Sequence, residues 1–199
     1  MIKPLPHRTP TTSSKSNPRI WKSKVYVNPD KLALWGWSYG AFLTLKTLES
    51  HPGAFPYAMA VAPVTDWRYY DSIYTERYML TPAANPNGYR QSAITNTSAM
   101  GLAQRFFIAH GTGDDNVHVQ NSLSLMDRLT NDGIGNWDSQ VFTDDDHSIV
   151  FHHGNKAVYW RLAEWLERWF GRKEVGGRVW VVDGEMLGYK VGVDGDRKD

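Results

Sequence analysis

Ser38 lies in Gly36-Trp37-Ser38-Tyr39-Gly40, with the apolar run Leu32 to Trp35 before it and the helix-compatible run Ala41 to Glu49 after it. Gly-x-Ser-x-Gly between a strand and a helix is the layout of a nucleophile elbow, where the chain turns sharply and lifts one hydroxyl clear of the backbone. Gly36 and Gly40 are expected to leave room for that turn where a Cβ would clash. Ser38 would then sit at a helix N-terminus, whose N–H groups and dipole favour developing negative charge. The chemistry implied is nucleophilic attack on a carbonyl. The plainer alternative is a chance pentapeptide in a loop.

A serine nucleophile needs a base, and the base needs an orienting carboxylate. In folds built around such an elbow the chain order is Ser, then Asp or Glu, then His. Two downstream segments fit that order. Phe106 to Ala109 reads as a buried strand that ends in the Gly-rich turn His110 to Asn116, which carries Asp114 and Asp115. Gln140 to Phe142 reads as a strand ending in the acidic turn Asp144-Asp145-Asp146, followed by His147. Both segments place their polar groups just past a strand's carboxyl end, the edge where open α/β sheets put their sites. The sequence leaves open which of Asp114 and Asp115 faces the base. The three aspartates beside His147, His152 and His153 are read as a solvated acidic turn rather than a cation site, and no metal is expected. His110 and His118 are read as structural hydrogen-bonding groups.

Gly36 to Gly40, His110 to His118, Asp146-His147 and the segment Val61-Ala62-Pro63-Val64-Thr65-Asp66-Trp67 through Tyr78 together resemble the dipeptidyl peptidase IV branch of the prolyl oligopeptidase family, most of all its fungal members. The resemblance covers about residues 21 to 171. It implies a serine peptidase without a cofactor, with Ser38 as nucleophile, Asp114 as acid, His147 as base and the Tyr39 N–H as one oxyanion donor. It also implies an apolar pocket for a proline or alanine side chain made by Val64, Trp67, Tyr70, Tyr74 and Val117, with Asn116 binding the substrate's carbonyl or amine end. The implied substrates are peptides with penultimate Pro or Ala. Ala41 and Gly113 stand where the family usually has Gly and Ala. Ala41 is compatible with a helical position, since Ala is the better helix former.

The resemblance further implies an α/β-hydrolase fold of which this chain holds the C-terminal half, a mostly parallel sheet with flanking helices. The β-propeller, the first strands, the propeller glutamates that hold the substrate's amino group and a tyrosine that completes the oxyanion hole belong to the upstream part of relatives. Losing one oxyanion donor costs roughly a hundredfold to a thousandfold in rate. A rival reading is therefore a truncated, inactive piece that acts through interaction or dimerisation. A third, a broad esterase or lipase, is disfavoured by the Trp67 to Tyr78 insert. Relatives also imply a homodimer contact through the C-terminal helix region, and a glycosylated domain that is lumenal on the vacuolar membrane or secreted.

The elements that must position these groups follow from composition and period. With 199 residues, one domain is expected. A hydrophobic fraction of 41% is a globular value, and a net charge of +1 offers no field for nucleic acid or membrane. There is no cysteine, hence no disulfide or thiolate chemistry. Residues 1–20, with Pro4, Pro6, Pro10 and Pro18 among Ser and Thr, read as a disordered leader. No apolar run is long enough for a signal peptide or membrane span. Tyr57 to Ala62 reads as a buried strand. Gln120 to Asp132 reads as a helix with Leu123, Met126 and Leu129 inward and Gly133 as its stop. Val158, Leu162, Trp165, Leu166 and Trp169 make residues 155–170 an amphipathic closing helix. Strands alternating with helices imply a parallel sheet. Residues 172–199 form an unassigned tail, in which 178–182 and 189–193 could pair as a hairpin.

Overall fold

The computed structural model describes residues 18–171. Four strands, β1 (Ala33–Trp37), β2 (Tyr57–Val61), β3 (Arg105–Gly111) and β4 (Trp137–Phe142), form one all-parallel sheet in the order β1-β2-β3-β4. β2 is buried throughout and β3 nearly so, which is why both read as continuous apolar runs. Their side chains alternate between two cores, as strand geometry requires. Ala58, Ala60, Phe106 and Ile108 pack into a core on one face with α2 (Tyr39–Ser50) and α6 (Gln120–Asn131). Met59, Val61, Phe107 and Ala109 pack on the other face against Val158, Leu162 and Trp165 of α7 (Gly154–Phe170). The connection from β2 to β3 carries α3 (Ser72–Met79), α4 (Pro86–Ser92) and α5 (Thr97–Met100).

The closing helix runs as its apolar spacing predicts. It is tied down by Asp138 on β4, which pairs with Arg105 and accepts from Trp165 Nε1 at 2.8 Å, while the Arg105 guanidinium lies 4.3 Å over the Trp169 ring. In α6 the period holds but the inward face differs. Leu123 is 45% exposed, and Asn121, Ser122, Leu125 and Leu129 are the buried set. Two polar residues can be buried there because both are hydrogen-bonded, as described below. Gly133, at φ 70°, ends the helix in the left-handed region.

Where the expected leader over 1–20 meets the described residues, Pro18–Lys22 forms the short helix α1 with Pro in its first position. The rest of the leader and the hairpin reading at 178–182 and 189–193 lie outside the described residues. Among the described residues β1 has a strand neighbour on one side only, and its Trp35 is 47% exposed. No helix among them is long and apolar enough to cross a membrane.

Candidate active site

β1 enters a sharp turn at Ser38, whose φ of 57° and ψ of −121° are strained for any residue with a Cβ. The surrounding structure holds the strain. The Ser38 N–H donates to Val61 O at 2.8 Å, anchoring the turn to β2, and the Ser38 carbonyl accepts from Phe42 N–H at 3.0 Å as α2 begins. Its hydroxyl makes no capping bond, so it is not consumed by the helix it precedes. Tyr39 opens α2, and as a first-turn residue its N–H has no partner within the helix.

Only one of the two glycines is required for space. A Cβ on Gly36 would lie 2.2 Å from the Gly40 carbonyl oxygen, whereas a Cβ on Gly40 would meet nothing within 4 Å. The expectation that both positions exclude a side chain is corrected: the Gly40 backbone is what needs the room at Gly36. Gly36→Ala is accordingly expected to destabilise the chain by about 1–3 kcal/mol or more, because the clash is with backbone. Gly40→Ala, a helical position, is expected to leave stability level or raise it by up to about 1 kcal/mol. Urea midpoints of the two variants check this contrast.

Asp114 sits on the turn after β3, 2% exposed, and its carboxylate accepts four hydrogen bonds. Oδ1 takes the backbone N–H groups of Val117 at 2.8 Å and Asn116 at 3.0 Å. Oδ2 lies 2.8 Å from His147 Nδ1 and 3.1 Å from His110 Nε2. Burial alone would raise its pKa. The hydrogen bonds from His110, His147 and Val117 outweigh burial and hold the carboxyl well below the usual range. Asp115 is exposed, so the two aspartates are no longer interchangeable: Asp114 is the one turned to His147.

The loops bearing Asp114 and His147 interlock. Gly113 N–H donates to Asp145 O at 2.9 Å, Thr112 N–H to Phe142 O at 2.9 Å, and Asp144 N–H to Thr112 Oγ1 at 2.8 Å. A Cβ on Gly111 would lie 2.3 Å from Asp145 O, so the approach depends on glycine there. The acidic turn is not uniformly solvated. Asp145 is 4% exposed and its Oδ1 accepts from Phe151 N–H at 2.7 Å, closing the His147 loop on itself. His147, partly exposed, is held a second time through its carbonyl, which accepts from Trp37 Nε1 at 3.0 Å. The residue immediately before Ser38 thus grips the loop that carries the histidine.

Beside the elbow lies an aromatic cluster. Trp67 is buried, with ring centroids 5.9 Å from Tyr39, 5.6 Å from Tyr70 and 6.2 Å from Tyr74, the last nearly parallel. Val64 and Val117 are fully buried in the same core cluster as Trp67. Tyr70 donates its hydroxyl to Asn116 Oδ1 at 2.9 Å, joining the cluster to the Asp114 turn. Burial, with smaller contributions from Tyr74, Asp71 and Asp114, raises the Tyr70 pKa and keeps that donor protonated. The insert is pinned from below by Asn121 of α6, whose side-chain oxygen accepts from Thr65 N–H at 3.0 Å and Asp66 N–H at 3.3 Å. Asp66 in turn caps the 3-10 turn Trp67–Tyr69 and pairs with Arg68.

The parallel sheet, strained elbow serine and strand-end aspartate and histidine define part of an α/β-hydrolase domain. The chain belongs to the prolyl oligopeptidase family, whose model matches residues 19–173. It is 56% identical over 161 residues to a probable dipeptidyl-aminopeptidase B of Coccidioides posadasii (strain C735), covering 80% of this chain and 18% of that protein. A probable dipeptidyl-aminopeptidase B of Ajellomyces dermatitidis is 60% identical over 147 residues, 73% of this chain and 16% of that one. The crystal structure of Porphyromonas gingivalis dipeptidyl peptidase 4 superposes with a TM-score of 0.66 at 39% identity, covering 72% of this chain and 20% of that one. The chain therefore spans about a fifth or less of the length of these relatives.

Sequence reasoning did not single out Trp37, Asn121, Ser122 or the buried side chain of Asp145 as supports of this site. For Asn121 and Ser122 a signal existed, because two small polar residues occupy positions that an inward helical face has to cover.

Proposed function

We propose that the chain carries the serine-nucleophile part of a dipeptidyl peptidase that releases X-Pro or X-Ala dipeptides from peptide N-termini. The observation that carries this reading is the buried Asp114 hydrogen-bonded to His147, on a loop tied to the residue before Ser38. In the proposed reaction Ser38 Oγ attacks the carbonyl after the penultimate residue and His147 Nε2 takes its proton. The negative oxygen forms near the Tyr39 N–H, and His147 returns the proton to the leaving amine. Water then cleaves the acyl-serine by the same steps in reverse. Asp114 holds the imidazole in the Nδ1–H tautomer and stabilises its cation.

Trp67, Tyr70 and Tyr74, backed by Val64 and Val117, supply flat apolar faces that suit a rigid proline ring. Asn116, whose Oδ1 accepts from Tyr70, would bind the substrate's polar backbone. The exposed Tyr159 and Trp160 on α7 support a homodimer contact there. A lumenal vacuolar or secreted setting rests on the resemblance alone. A second reading, a binding piece without turnover, is favoured by β1, which among the described residues has a strand neighbour on one side only. Hydrolysis of a chromogenic Gly-Pro amide by the purified chain separates the two. Under the peptidase reading, kcat/KM for that amide exceeds that for a simple acyl ester by about tenfold or more. Preference for the ester would reassign the site to an esterase, and a folded chain without turnover on either would favour the binding piece.

A further inference from the structure

His110 is an imidazole at the heart of the sheet, fully buried on β3 between the apolar residues Ala109 and Gly111, with Val141 as its register partner on β4. A buried imidazole is costly unless its nitrogens are hydrogen-bonded. Both are. Nε2 faces two oxygens, Val117 O at 2.7 Å and Asp114 Oδ2 at 3.1 Å, and Nδ1 lies 2.7 Å from Ser122 Oγ on α6. A backbone carbonyl has no proton to give, and an ionised carboxylate has none either, so Nε2 must be the donor. The Ser122 hydroxyl is then free to donate to Nδ1. Every polar atom in this buried group is satisfied by a neutral imidazole in the Nε2–H tautomer.

We propose that His110, held in that tautomer by the Val117 and Asp114 oxygens, is a positioning residue for Asp114: it completes the fourth hydrogen bond to the carboxylate and keeps Oδ2 aimed at His147. The proposal rests on the assignment of Asp114 and His147 as the acid–base pair. Two backbone N–H groups alone hold Oδ1 and leave Oδ2 able to swing with the side chain. With the His110 N–H in place the carboxylate's accepting directions are filled from two sides, and rotation would strand a buried donor. The same bond draws electron density from Oδ2 and so tempers its pull on the His147 proton. Asp114 is the titratable group facing His110; the turn contributes a carbonyl, α6 a hydroxyl and β4 a valine.

The test is 1H and 15N NMR of the imidazoles in the purified chain at neutral pH, alongside hydrolysis of the Gly-Pro amide. His110 is expected to show the Nε2–H tautomer, and His147 an Nδ1–H proton bonded to Asp114. In His110→Leu the carboxylate loses a donor, so the His147 Nδ1–H resonance is expected to shift and broaden as Oδ2 loosens. kcat is expected to fall by about tenfold to a hundredfold from misplacement of the base. His110→Gln, whose amide N–H can replace the imidazole donor, is expected to recover most of both. Ser122→Ala removes only the donor to Nδ1 and is expected to leave the Nε2–H tautomer in place, because the Val117 and Asp114 oxygens still need that donor.

A His110 found in the Nδ1–H form, or a His147 Nδ1–H resonance unmoved in every folded His110 variant, overturns the proposal. The tautomer in the unaltered chain and in Ser122→Ala decides it even if His110→Leu fails to fold. It is also independent of turnover. A chain inactive with or without Ser38 would sink the peptidase reading while the NMR result still spoke for or against His110.

Discussion

Ser38→Ala is expected to slow hydrolysis of a Gly-Pro amide by roughly 10⁴- to 10⁶-fold in kcat, because the oxygen proposed to attack is itself removed. The structure makes this a clean experiment. The Ser38 hydroxyl caps nothing, and alanine must adopt the same strained dihedrals, so stability should change by less than about 0.5 kcal/mol. Ser38→Gly is expected to be equally inactive yet more stable, by about 1 kcal/mol, because glycine relieves the penalty of φ 57°. An inactive glycine variant with a higher urea midpoint would mean that the elbow stores strain to present its hydroxyl. Undiminished turnover in Ser38→Ala would refute the nucleophile assignment outright.

Asp114→Asn carries the second large effect. The orientation of an amide at this position is dictated by its neighbours. Two backbone N–H groups demand an acceptor on the Oδ1 side, so the NH₂ must point at the two histidines. His147 Nδ1 would then have to accept, leaving its proton on Nε2, the atom that in the proposed reaction takes one from Ser38. His110 would turn a lone pair toward both the amide and the Val117 carbonyl, or lose its bond altogether. Under the proposed mechanism a fall in kcat of about 10⁴-fold is expected, the loss the same exchange causes in serine triads through the wrong tautomer.

The pH dependence of stability follows from the same carboxylate. Its folded pKa lies below the 3.8 of an ordinary aspartate, so its contribution is fully present above about pH 4. The contribution is lost as pH falls from there through the depressed folded value. The margin in urea midpoint by which wild type exceeds Asp114→Asn should therefore be larger at about pH 4 to 5 than in acid, and should shrink steadily toward pH 2. A margin that widened in acid would mean the carboxylate is not the stabilising form.

Aspects of this protein that depend on neighbours a few residues apart were legible in the chain. The elbow is one: Gly36, Ser38 and the runs on either side specify a strand-to-helix turn with local sterics. The buried strands at Tyr57 and Phe106 are another, since a parallel strand covered on both faces needs apolar residues in an unbroken run. The closing helix, read from the spacing of Val158, Leu162 and Trp165, is a third. The choice between Asp114 and Asp115 was not legible, because adjacent residues on a turn point different ways and only the approach of His147, 33 residues later, selects one. Nor was the inward face of α6. Its period alone favoured Leu123, but Ser122 and Asn121 turn inward because His110 and the backbone of Thr65 are waiting for their hydrogen bonds. Trp37 grips a carbonyl 110 residues away, and Asp145 is buried because Phe151 N–H needs an acceptor. Local sterics and periodicity wrote the elements and the reactive side chains into the sequence; the partners that orient those side chains meet only after the chain has folded, because a buried polar group is committed by the neighbour that satisfies it.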